Sequence, residues 1–227
     1  MGDRALTVEG PQEPLSAELT EAVSPKAMLV LAHGAGAGYQ HNNLLGISAA
    51  LAGHGVSSLR FNFPYMQAGR RRVDSVAVAT AALAAGVAEA QAQGGGLPLF
   101  LGGHSFGGRM ASHAVLGSDL DVRGLIFCSF PLHQPKKPGV ERAAHLVDIA
   151  LPMLFLSGTR DALAQADLLE QVVAGLGTRA RLHWLATADH SYRILKRQRL
   201  PEPTVFEEMA GRVAAFVEEV CGRAQGS

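Results

Sequence analysis

The sequence predicts an α/β fold, a mostly parallel central sheet with helices on both faces. Three observations lead there. From about residue 27 onward, apolar runs of strand length alternate with segments of helix length. The runs are continuous in apolar character rather than alternating with polar residues, as expected of strands covered on both faces. No linker, low-complexity tract or repeat interrupts the alternation, so residues 1–227 read as one domain.

Residues 1–24 are read as an antiparallel edge hairpin, from short alternating stretches at Ala5–Glu9 and Ser16–Glu21 split by Pro11 and Pro14. The strands then follow at Ala27–Ala32, Val56–Phe61, Leu97–Leu101, Val122–Cys128, Met153–Leu156 and Arg181–Leu185. Helices are expected at His41–His54, Val73–Gln93, Phe106–Leu116, Glu141–Val147, Ala162–Gly175 and Thr204–Gly222. The second of these is alanine-rich and stops at Gly94-Gly95-Gly96. Arg70-Arg71-Arg72 reads as the beginning of a helix on the surface. Thr204 with Glu207 three residues on forms a capping box for the last helix.

Composition narrows the function. The chain has 227 residues, 48% of them hydrophobic, and a formal net charge of zero. At this length a fold buries roughly 70–75% of its unfolded surface, so neither disulfide nor metal is required. Zero net charge argues against a general nucleic-acid binder, which needs a basic excess to displace counterions. Cys128 and Cys221 are too few and too far apart for a disulfide framework or an ordinary zinc site. No apolar signal core and no run of eighteen apolar residues is present, so no membrane association is expected. These features fit a cytoplasmic protein, a monomer or homodimer, that holds no metal and no cofactor.

The most informative stretch is Gly103-His104-Ser105-Phe106-Gly107, a G-x-S-x-G pattern between a strand and a helix. In that context the sharp turn lifts the serine oxygen above the sheet, near the positive end of the following helix. The competing reading is a glycine-rich turn that holds a serine by chance. Glycine doublets on both sides and the strand–turn–helix setting favour the nucleophile. Phosphate-cradling alternatives fit poorly: residues 102–108 do not match G-x-G-x-x-G, no Walker lysine follows, and His33-Gly34-Ala35-Gly36-Ala37-Gly38 misses the dinucleotide spacing.

A serine hydroxyl needs a base, and the base needs an orienting acid. In strand–serine–helix enzymes the chain order is serine, acid, histidine. Only His183 and His190 follow a plausible acid. His183 sits within a strand, whereas His190 lies beyond it on the same sheet edge as Ser105, so His190 is the candidate base. Among the intervening acids, Asp119, Asp121 and Asp148 precede strands, Glu141, Asp167 and Glu170 fall in helices, and Asp189 adjoins the histidine. Asp161 follows a strand through a short turn and is the candidate acid, with a helix cap as its ordinary alternative. The oxyanion donors expected are the backbone N–H groups of Phe106, just after the serine, and Ala35, in the first glycine-rich loop, with Gly34 as the alternative to Ala35. His33 and His104 are read as braces for these loops.

With these residues placed, the chain resembles the α/β-hydrolase superfamily over about residues 25–221. The resemblance rests on Leu31-Ala-His-Gly-Ala-Gly, Arg60-Phe-Asn-Phe-Pro-Tyr, Gly103-His-Ser-Phe-Gly-Gly-Arg, Gly158-Thr-Arg-Asp and Ala188-Asp-His-Ser. Phe61-Asn-Phe-Pro-Tyr and Ser129-Phe-Pro-Leu-His are similar to a small bacterial group related to dienelactone hydrolases, and to a vertebrate testis-expressed group. Dienelactone hydrolases proper carry cysteine where this chain has Ser105. The resemblance implies serine hydrolase chemistry on an ester, thioester or lactone of a small molecule, through an acyl-enzyme. A non-catalytic scaffold and an acyltransferase are the alternatives.

Tyr65, Met66, Phe130, Leu132 and His133 follow strand ends on the same edge and are candidate pocket residues. Arg193, Lys196, Arg197 and Arg199 form a basic run past His190, a solvated surface or a lure for anionic substrates. Cys128 reads as a buried small hydrophobe. About 24 residues separate Cys128 from Pro152, little room for a lid, so an open site is expected.

Overall fold

The computed structural model describes residues 2–198 and 200–224. Eight strands form one sheet in the order β1-β2-β4-β3-β5-β6-β7-β8. They span Gly2–Glu9 (β1), Pro14–Glu21 (β2), Ala27–Ala32 (β3), Val56–Phe61 (β4), Leu99–His104 (β5), Leu125–Cys128 (β6), Met153–Gly158 (β7) and Ala180–Leu185 (β8). The first two make an antiparallel edge hairpin, from Gly2↔Glu21 to Glu9↔Pro14, and β2 runs antiparallel to β4. All pairings from β4 to β8 are parallel.

Successive residues of the central strands feed two separate cores. Met28, Val30 and Ala32 of β3 join one, with residues of α3 (Val76–Gln93), α4 (Phe106–Gly117) and α5 (Ala166–Leu176). Ala27, Leu29 and Leu31 join the other, against α1 (Asn42–Gly53) and α6 (Val205–Ala224). Because side chains alternate across a strand, burial of both faces demands an unbroken apolar run. Both cores together close the sheet on its two faces, and among the described residues no lid stands above the carboxyl ends of the strands.

Several boundaries differ from the sequence reading. β5 continues through Gly102, Gly103 and His104, which pair with Leu31, Ala32 and their β6 neighbours. Read locally the glycines signal a turn. In space they lie within the ladder, and a Cβ on Gly103 would sit 2.4 Å from the Ala32 carbonyl oxygen. The alanine-rich helix begins at Val76, not Val73, because the Ser75 side chain accepts from the Val78 N–H and caps it. Arg70–Arg72 therefore do not begin a helix but precede it as loop. A short helix, α2 (Pro64–Gln67), follows β4 with Pro64 in its first turn, where proline's missing N–H costs nothing. Residues Glu141–Asp148 form a 3-10 helix, and α5 starts at Ala166 rather than Ala162. At the start of the last helix, the Glu207 N–H donates to the Thr204 hydroxyl at 3.2 Å.

Candidate active site

The turn from β5 into α4 holds Ser105 at φ 53°, ψ −111°, a left-handed conformation that L-residues seldom adopt. Its N–H is fixed by the Cys128 carbonyl at 2.9 Å. Gly107 makes the turn feasible: a Cβ there would lie 2.5 Å from the Ala32 oxygen and 2.8 Å from the His33 oxygen. Both obstacles are backbone, so they cannot swing aside.

Ser105, His190 and Asp161, taken from three separate strand ends, lie in hydrogen-bond contact. Ser105 Oγ is 2.9 Å from His190 Nε2. His190 Nδ1 is 2.8 and 2.9 Å from the two Asp161 carboxylate oxygens. A carboxylate only accepts, so Nδ1 carries the proton and Nε2 accepts from the serine hydroxyl. Asp161 is buried, and its Oδ1 also accepts from the Leu163 N–H at 2.8 Å. That single carboxylate thus orients the imidazole and caps its own loop. His183 lies elsewhere, 2.7 Å from Glu208 of α6. Asp189 is occupied with the N–H groups of Ser191 and Arg193.

Buried histidines brace these loops. His104 Nε2 donates to the His190 carbonyl at 2.9 Å, fixing the loop that carries the base. Its Nδ1 packs against Gly34, where a Cβ would come within 2.8 Å. His33 donates from Nδ1 to the Gly34 carbonyl and accepts at Nε2 from the Phe63 N–H. Burial lowers the pKa of both rings to about 4, so each stays neutral and keeps one donor and one acceptor.

The Phe61–Tyr65 segment organises the first glycine-rich loop. Tyr65 accepts from the Gly36 N–H at 3.1 Å and donates to the Gly34 carbonyl at 3.4 Å, straddling Ala35. Burial raises the pKa of its phenol, which keeps that proton in place. Asn62 accepts from the Tyr39 N–H, and the buried Arg60 donates to the Tyr39 carbonyl. Phe106 packs edge-on against Phe63 at 5.3 Å and Tyr65 at 6.4 Å between ring centroids. The two backbone N–H groups named from the sequence, Ala35 and Phe106, are thereby held by one aromatic cluster. Among the described residues neither is given to a hydrogen-bond acceptor.

The five candidate pocket residues fall into different places. Tyr65, Phe130 and Leu132 are buried in the core and offer no surface to a substrate. α2 folds Tyr65 inward, and Phe130 packs edge-on against Phe127 and Phe155. His133 is also buried; it donates to the Gln134 carbonyl and accepts from the Gln165 N–H, tying its loop to the Asp161 loop. Met66 alone of the five lines open space, a shallow cavity of about 290 Å³ shared with Gly36, Tyr39, His41 and Asn62. Arg193, Lys196 and Arg197 are exposed, and Arg199 lies outside the described residues. The bracing roles of Tyr65 and His133 were not legible from a motif; only the Phe-Asn-Phe-Pro-Tyr run hinted that the segment was special.

A family model described as "Alpha/beta hydrolase domain" matches residues 25–218. The chain belongs to the α/β-hydrolase family. Solved structures of similar fold include a dienelactone hydrolase from Anabaena variabilis, 17% identical, with a TM-score of 0.76 over 96% of this chain and 98% of that one. The esterase domain of a Rhodothermus marinus protein is 19% identical, with a TM-score of 0.72 over 96% and 99%. An α/β serine hydrolase without lid from Xanthomonas campestris is 18% identical, with a TM-score of 0.69 over 98% and 95%. At these identities the likeness speaks for the fold. Among the described residues, no helix is long and apolar enough to cross a membrane.

Proposed function

We propose that this α/β hydrolase cleaves an ester, thioester or lactone of a small molecule through a serine acyl-enzyme. The observation that carries the reading is the unbroken relay from Ser105 Oγ to His190 Nε2 at 2.9 Å and from His190 Nδ1 to Asp161 at 2.8 Å. His190 takes the Ser105 proton as the oxygen attacks the carbonyl carbon. Asp161 keeps the imidazole in the required tautomer and stabilises its charged form. The Ala35 and Phe106 N–H groups receive the oxyanion, and losing one such donor costs about 100- to 1000-fold in rate. The alcohol, thiol or ring oxygen leaves with the proton returned by His190. Water then repeats the sequence on the acyl-enzyme.

Met66 and the cavity beside the Gly36 loop are the proposed contact for one end of the substrate, and the lack of a lid among the described residues favours a modest, water-soluble one. The working protein is proposed to be cytoplasmic. A panel of p-nitrophenyl esters of increasing acyl length tests the reading. Wild type is expected to turn over short esters and Ser105→Ala to lose at least about 10³-fold in kcat. Equal rates for both would remove Ser105 as nucleophile. Inclusion of competing alcohols and thiols separates hydrolysis from acyl transfer by product.

A further inference from the structure

A second polar cluster lies on the flank of α4, between that helix and the 3-10 helix of Glu141–Asp148. Arg109 is four residues beyond Ser105, and its N–H closes the first helical turn onto the Ser105 carbonyl at 3.1 Å. Side chains of a helix lean toward its N-terminus, so the Arg109 side chain leans toward the elbow. One turn further, the His113 ring stacks on His145 of the 3-10 helix, with centroids 3.9 Å apart and planes at 13°. His145 Nε2 is 2.7 Å from Ser112 Oγ, which donates to the Arg109 carbonyl at 2.7 Å. His145 therefore donates from Nε2. Arg142, one turn before His145, gives one N–H to the His133 carbonyl at 3.1 Å and keeps its others.

The cluster is unbalanced in two ways. Arg109 Nε and His113 Nε2 are both shielded from solvent, and among the described residues neither has a hydrogen-bond partner. Desolvated polar atoms of this kind cost free energy unless a partner arrives, and the Arg109 Nε–H can only donate. Charge is also uncompensated: among the described residues, Arg109 and Arg142 form no ion pair with a carboxylate. Burial and the nearby Arg142 charge both lower the Arg109 pKa. The nearby Asp148 charge acts on His145, where it opposes the lowering of the ring's pKa by burial. The four side chains are only partly buried, so the cluster is open to solution.

We propose that Arg109 and Arg142, with His113 behind them, form a binding site for a small oxyanion, a carboxylate or phosphate group. A guanidinium presents parallel N–H donors that match two oxygens of such a group, and two guanidinia supply the missing counter-charge. The site stands apart from the Ser105 relay but is joined to it by the first turn of α4. The oxyanion comes either free from solution or attached to the substrate.

The test measures binding of sodium phosphate and of glutarate by calorimetry at constant ionic strength, for wild type, Arg109→Gln and Arg142→Gln. Circular dichroism verifies that each variant is folded, and Arg109→Lys, which keeps charge without the fork, is the second variant at that position. Wild type is expected to bind, with either glutamine variant weakened about 10- to 100-fold and the lysine variant intermediate. No binding to wild type, or equal binding to wild type and Arg109→Gln, overturns the proposal. A second arm compares p-nitrophenyl hemisuccinate with p-nitrophenyl butyrate. Phosphate that competes only with the hemisuccinate places the group on the substrate, and phosphate that competes with neither identifies a free ion. Binding without hydrolysis of either ester would leave the site standing and remove the serine-hydrolase reading.

Discussion

Replacing Tyr65 by phenylalanine separates a pocket residue from a residue that shapes the oxyanion loop. The ring stays in its core position and only the hydroxyl is lost. That hydroxyl accepts from Gly36 at 3.1 Å and donates to the Gly34 carbonyl at 3.4 Å, on either side of the Ala35 N–H. Gly36 is exposed, so water can replace the lost partner and the stability cost stays near 1 kcal/mol. In a chain of this size that lowers Tm by about 2–4 °C. Losing an oxyanion donor outright costs about 100- to 1000-fold. Here the loop retains the Ala37–Gly34 turn and its ties to Asn62 and Arg60, so Ala35 is loosened, not removed. A fall in kcat of about tenfold follows, with KM within about twofold, since the lost interaction acts in the transition state. Steady-state kinetics on a p-nitrophenyl ester beside thermal unfolding makes the distinction. A lowered Tm with unchanged kcat would refute the loop role. A raised KM with unchanged kcat would restore Tyr65 to substrate binding.

Three further outcomes are expected. Asp161→Asn should fold, because Oδ1 can still accept from Leu163, yet lose about 10⁴-fold in kcat as the imidazole adopts the wrong tautomer; a loss under tenfold would count against the relay. Gly107→Ala should destabilise by about 3 kcal/mol through backbone contacts at 2.5–2.8 Å, whereas Gly117→Ala, with open space around it, should be neutral or stabilising; denaturant titration compares them. His33 and His104 are neutral when folded, with pKa values lowered to about 4, and take up protons near 6.5 when unfolded. Their stabilisation is complete above pH 6.5 and is lost as pH falls toward 4, roughly 2 kcal/mol each by pH 4.5; a flat unfolding free energy over that window would contradict it.

The layered fold was legible because its cause is local. β3, β5 and β7 must be apolar on both faces, and an unbroken run announces that directly. The elbow was legible because the Gly103 and Gly107 positions leave no room for any other residue, so the geometry is written as composition. What escaped is what depends on distant partners. Gly102 and Gly103 read as turn residues until Ala32 and Ile126 are seen beside them. Tyr65, Phe130 and Leu132 follow strand ends as pocket residues do, but all three are buried, Tyr65 on α2 and Phe130 edge-on against Phe127 and Phe155. The bracing of Gly34 by His104, and the meeting of Arg109 and His113 of α4 with Arg142 and His145, join elements far apart in sequence. No periodicity or spacing records such meetings.

The central claim is that Ser105 is the nucleophile activated by His190. The most direct measurement is intact-protein mass spectrometry after treatment with a fluorophosphonate, followed by mapping of the adduct. A single adduct on Ser105 in the wild type is expected, absent in Ser105→Ala and formed at least about 10³-fold more slowly in His190→Ala. An adduct elsewhere, or equal labelling of wild type and Ser105→Ala, would contradict it.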